Sequence, residues 1–110
     1  MATAYKILAQ NNPSATTLTT LYTSTGVETV VSTITVANLA GSAATFRLLA
    51  QLSADAGSAL NKQYLAYDVT VGALDTTTLT LGLTLASGDV LKVYASTATL
   101  AFNVFGSQFS

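Results

Sequence analysis

Leucine falls on every second residue from Leu79 to Leu85, with Thr80, Gly82 and Thr84 between. That period of two places one row of side chains on a buried face and the other on a solvated face of a strand, and a helix has no use for it. Ala86, Ser87, Gly88 and Asp89 follow as turn formers, and Val90–Tyr94 resumes with β-branched and aromatic residues. The spacing therefore predicts a β-hairpin over Thr76–Tyr94, with Gly82 as a bulge that bends the sheet.

The same alternation recurs along the chain. Tyr5–Ala9 is an apolar run stopped by Gln10, Asn11, Asn12 and Pro13, and Leu18–Tyr22 is a second short strand before Ser24, Thr25 and Gly26. Val27–Ala37 is the longest β-branched stretch, with Val30, Ser32, Ile34 and Val36 predicted on one face and Val31, Thr33, Thr35 and Ala37 on the other. Ala44–Leu52 alternates Phe46, Leu48 and Ala50 against Thr45, Arg47, Leu49 and Gln51. Ser53–Lys62 is the longest interruption and reads as a loop, a single helical turn being the other form its composition allows. Tyr64–Val71 and Thr99–Phe105 complete the set. At 110 residues the chain has room for a single domain over residues 1–110. The expected fold is all-β: an antiparallel β-sandwich or jelly roll of about eight strands.

Composition narrows what such a domain does. Only 8% of residues are charged, against about 25% in an average protein, and the net charge is −1. Threonine keeps the exposed sheet faces wet without charge. So weak a field attracts no nucleic acid, and Lys6, Arg47, Lys62 and Lys92 are too dispersed to form a phosphate track. No apolar run is long enough for a signal peptide or a membrane helix, which predicts a soluble product made in the cytoplasm. Without cysteine or histidine the chain lacks disulfides, thiolate chemistry, zinc-ligand patterns and the base of the common hydrolase triads. Among the carboxylates Glu28, Asp55, Asp68, Asp75 and Asp89, the last two sit beside turn residues and read as backbone caps. Asp68 falls inside a strand, where it is expected to pair with Arg47 or Lys92 or to meet another subunit. No acidic loop offers the six to eight oxygens that calcium takes, and the scattered glycines make no phosphate cradle. The reading is a protein with no catalytic, metal or cofactor residues. Tyr5, Tyr22, Tyr64, Tyr67 and Tyr94 suit core margins or protein interfaces, with sugar stacking as the other use of such rings.

Several segments together resemble a group of short virion proteins of tailed phages of aquatic bacteria. They are Ala4–Gln10 followed by Asn12–Thr17 and Leu21–Thr23, then Val30–Ile34 with Asn38, Ala44–Arg47, Asn61–Asp68, Leu79–Leu83 and Phe102–Gly106. The resemblance spans nearly the whole chain. It implies a structural part of the virion, of the capsid decoration or cement type, made in the host cytoplasm, docked on the major capsid protein and on copies of itself as a dimer or trimer. A tail-fibre or baseplate module gripping host-surface carbohydrate through the tyrosines and the Ser53–Lys62 loop is the alternative. For the interface, the chain ends Met1–Lys6 and Phe105–Ser110 are expected to serve, with Tyr5, Lys6, Phe105 and Phe109 as contacts, because apolar residues near a terminus favour a partner. Removal of residues 106–110 is then expected to weaken docking without unfolding the domain.

Overall fold

The structure, a computed structural model, describes residues 3–55 and 57–109. Its strands are β1 (Thr3–Asn11), β2 (Thr19–Thr23), β3 (Glu28–Asn38), β4 (Ala44–Gln51), β5 (Tyr64–Val71), β6 (Thr76–Leu79), β7 (Leu83–Leu85), β8 (Val90–Ala95) and β9 (Leu100–Phe109). Two short 3₁₀ turns, Ser53–Asp55 and Asn61–Gln63, interrupt the segment between β4 and β5. The first sheet runs β1-β9-β3-β6, with β7 also on β3, and the second runs β2-β8-β4-β5. Every ladder is antiparallel: β1 lies on β9, β2 on β8, β3 on β6 and β7, and β4 on β5. Those pairings describe one long hairpin rolled into two layers, the strand order of a jelly roll, so the expected β-sandwich is the observed fold.

Between the layers, alternate side chains of both sheets meet in one core. Val31, Ile34 and Val36 of β3 and Leu100, Phe102 and Val104 of β9 face Phe46 and Leu48 of β4 and Leu91 and Val93 of β8. The Phe46 and Phe102 rings join the sheets edge to face at 5.9 Å, an arrangement favoured by the aromatic quadrupole. Polar side chains pin the sandwich at both ends. At one, Gln108 Nε2 donates to the buried Tyr22 hydroxyl at 2.7 Å, which shares a 2.9 Å bond with Thr29 Oγ1, itself bonded to Ser24 Oγ. At the other, Asn38 Nδ2 donates to the carbonyls of Ser42, Val71 and Gly72, while its Oδ1 accepts from Ala40 N and Thr99 Oγ1. Buried amides and hydroxyls stay in place only when satisfied in this way.

Three expectations are corrected. The Thr76–Tyr94 hairpin does not exist, since β7 pairs with β3 in the first sheet whereas β8 pairs with β2 and β4 in the second. Ala86–Asp89 is instead a crossover: Asp89 accepts from Ser53 N and Ala86 N, and Gly88 N donates to the Ser24 carbonyl. Turn residues mark where a chain reverses but not which strand receives it. Gly82, at φ +59°, sits in a break that divides the leucine run into β6 and β7 and leaves Leu81 exposed, so it interrupts the strand rather than bulging it. Finally, β3 changes phase. The ladder with β9 shifts between Val31 and Thr33, making Ser32 an extra residue, and Val31 rather than Val30 joins Ile34 in the core.

Candidate interaction surfaces

The bulge at Ser32 has a counterpart across β9. The β1 ladder shifts between Ile7 and Ala9, so Phe105 is flanked by an extra residue on each side, Leu8 and Ser32. Gly106 follows at the tightest point: a Cβ there would collide with the Val30 carbonyl oxygen and crowd Leu8. Beyond this paired bulge the outward face of the first sheet becomes apolar. Tyr5 and Ile7 share a face by the strand period and are 84% and 53% exposed. With Lys6, Val30, Phe105 and Ser107 they line a shallow groove of about 480 Å³ running beside the open edge of β1. On the other side of the bulge the face turns polar, with Gln10 donating to Asn103 at 2.7 Å and Thr35 opposite Thr78.

Of the four expected interface residues, Tyr5, Lys6 and Phe105 are therefore brought together by the β1–β9 ladder. Phe109 stands apart, half-buried in a second groove of about 440 Å³ with Glu28, Val30, Thr84 and Asp89. Neither Phe105 nor Phe109 is an exposed tail residue. Both belong to β9, which is paired on both sides, so the premise of exposed tail residues is corrected and removal of residues 106–110 is now expected to disturb the first sheet as well as any docking. Met1, Ala2 and Ser110 lie outside the described residues, as does Ala56 of the Ser53–Lys62 loop. Ile7 and Val30 were not anticipated. For Ile7 the signal was present in its spacing from Tyr5, but Val30 reaches this face only through the bulge.

The outward face of the second sheet is built differently. Arg47 of β4 lies over the rings of Tyr67 and Tyr94, its guanidinium carbon 4.2 and 4.5 Å from their centroids. It donates from Nε and Nη2 to the two Asp68 carboxylate oxygens at 2.7 and 3.3 Å. The pairing expected between Asp68 and Arg47 is thus present, and hydrogen bonding to Asp68 is the main cause that raises the Arg47 pKa above its ordinary value, with desolvation next and opposing it. Asp68 reaches Arg47 from a β5 bulge opposite Phe46–Leu48 and takes a positive φ of 51°, a strained form that Asp tolerates better than most residues. Tyr64 meets Tyr67 edge to face at 5.0 Å. Three of the five tyrosines therefore share one face, while Tyr22 is in the core and Tyr5 on the other sheet.

Next to this stack, the segment from Leu52 to Gln63 folds back over β4. Leu49 is fully buried although it is outside the main core. Gln51 Nε2 donates to Ser58 O and Gln63 Oε1, and Asp55 pairs with Lys62 at 3.3 Å. The roof leaves Gln51 Oε1 and Gln63 Nε2 without a protein partner, a cost of about 1–3 kcal/mol each set against the burial of Leu49.

The carboxylates of Asp55, Asp68, Asp75 and Asp89 are engaged by Lys62, Arg47, Thr76 N and the Ser53 and Ala86 amides respectively, so Asp75 and Asp89 cap backbone as expected. Among the described residues no three acidic side chains gather as metal ligands. No described helix is long and apolar enough to cross a membrane. No protein-family model, curated protein or solved structure matches this chain.

Proposed function

We propose that this chain is a non-enzymatic virion structural protein, a capsid decoration or cement protein that stabilises the head shell of a tailed phage. The observation that carries the reading is the apolar groove at Tyr5, Ile7 and Phe105 beside an open strand edge, a surface whose exposure to water costs about 25 cal/mol per Å². Docking on the major capsid protein covers it. The jelly-roll order is in keeping with this role, since capsid domains use it, although lectins and cupins do too and a fold by itself assigns no function. A uniformly low charge also suits a protein packed in many copies on a shell, where like-charged neighbours repel.

A second reading, a tail-fibre or baseplate module for host-surface carbohydrate, draws on the stack at Arg47. There the exposed Tyr67 ring and the Asp68 carboxylate combine a stacking plane with hydrogen-bond acceptors. Copy number separates the two. Quantitative mass spectrometry of the purified particle, scaled to the major capsid protein, is expected to give on the order of one copy per capsid subunit or per capsid trimer. A handful of copies per particle transfers the protein to the tail, and its absence from the particle defeats both readings.

A further inference from the structure

Each sheet has two edges, and the protein interrupts three of the four. β2 has five residues and a shifted register between Thr20 and Tyr22. β5 carries two irregularities and the left-handed Asp68. The β6–β7 edge is broken at Thr80–Gly82. Bulges, breaks and short runs of this kind prevent strand addition. β1 differs ahead of its own bulge at Leu8: it is the longest edge strand, it pairs with β9 without a shift from Thr3 to Ile7, and all five of those residues are exposed.

We infer that Thr3–Ile7 of β1 is a self-association edge, pairing antiparallel with the same segment of a second copy about a two-fold axis at Tyr5. Antiparallel addition satisfies the open row of amides and carbonyls, and an isologous contact needs only a surface complementary to itself. The side chains select both the occupant and the register. With Tyr5 opposite Tyr5, Lys6 faces Ala4 and Ile7 faces Thr3, so the segment's one charge meets a methyl group. Centring the axis on Lys6 would set two ammonium groups directly opposite, which is destabilising. The chosen register makes an aromatic cross-strand pair and joins the two Tyr5–Ile7 grooves into one apolar strip across a continuous sheet. This rests on the shell reading proposed above and deepens it by naming the edge through which copies of the chain would meet. Its test is read in solution with no particle present, so failure here leaves the particle assignment standing.

Sedimentation equilibrium of the purified protein is expected to show a dimer, with the β1 amides gaining protection from hydrogen exchange as concentration rises. Tyr5→Lys and Tyr5→Glu, at a position too exposed to disturb folding, are each expected to weaken the dimer at least about tenfold. Mixing the two variants should restore it, because residue 5 of one copy then meets its opposite charge on the other. A monomeric or trimeric wild-type protein, a dimer indifferent to both substitutions, or variants that stay apart on mixing would each overturn the inference. Unchanged circular dichroism of the two variants shows that any loss of dimer reports on the interface, and the wild-type exchange pattern decides the matter if either variant misfolds.

Discussion

The outward faces of the two sheets solve the same problem in opposite ways. The second sheet ties its side chains to one another: Arg47 is held between Tyr67 and Tyr94 by Asp68, and Gln51 is bonded to Ser58 and Gln63 of the Leu52–Gln63 segment, although the Tyr67 ring stays exposed. The first sheet leaves Tyr5 and Ile7 in solvent over Phe105. Although the chain has only nine charged residues, four of them, in the pairs Arg47–Asp68 and Asp55–Lys62, lie on or beside the second sheet's face. Charge pairs and a long loop are thus gathered on one side, and the other keeps Tyr5 and Ile7 in solvent. The contrast teaches that exposed apolar side chains are spread over this molecule, among them Leu39, Leu52 and Leu74, and that at Tyr5 and Ile7 they line a groove beside an open strand edge.

The contrast can be broken or sharpened by substitution. The largest effect is expected from deleting residues 106–110, which removes the end of β9 that pairs with Thr3–Lys6 of β1 on one side and Glu28–Val31 of β3 on the other. The product should show no cooperative transition in urea, whereas a folded product would mean that the first sheet does not depend on that strand end. Leu49→Ala comes next, at about 2–5 kcal/mol for a fully buried leucine. A loss well under 1 kcal/mol in denaturant titration would mean that the roof opens freely. Gly106→Ala, which forces a Cβ against the Val30 carbonyl, should cost about 1–3 kcal/mol in the same titration. Arg47→Met removes both Asp68 hydrogen bonds and the two ring contacts, and is expected to lower the thermal midpoint by less than Leu49→Ala does. Ile7→Ser is the smallest, within about 0.5 kcal/mol for the monomer because the side chain is already exposed. A larger loss would move Ile7 from the docking surface into the fold.

Much of this architecture is legible residue by residue. Strand positions follow from alternation, as in Tyr64–Val71, whose observed bounds are those expected. Asp89 and Asp75 read as backbone caps from their turn neighbours, and the Arg47–Asp68 pair from an acid misplaced in a strand. What alternation leaves open is which strand each one meets. The leucine run looks like half of a hairpin because its period is perfect, yet its partner is β3, more than 40 residues earlier in the chain. Bulges are equally silent, because Ser32 carries no local mark of being an extra residue, and it alone decides whether Val30 or Val31 enters the core. The groove inherits that difficulty. Its apolar members could be named, but Tyr5 and Phe105 become neighbours only through a ladder between the two ends of the sequence.

That ladder also sets an order of events during synthesis. β9 lies between β1 and β3, and it is made after every other strand of its sheet. Until it leaves the ribosome, β1 and β3 have no shared partner, and the apolar residues they later bury wait without one. Folding of the first sheet is therefore expected to wait for β9, a late zipping of distant segments rather than growth from a local hairpin, and long-range pairing of this kind is slow. During that interval the nascent sheet is most open to strands of other chains, so the feature that completes the domain also defines when it is most vulnerable to aggregation.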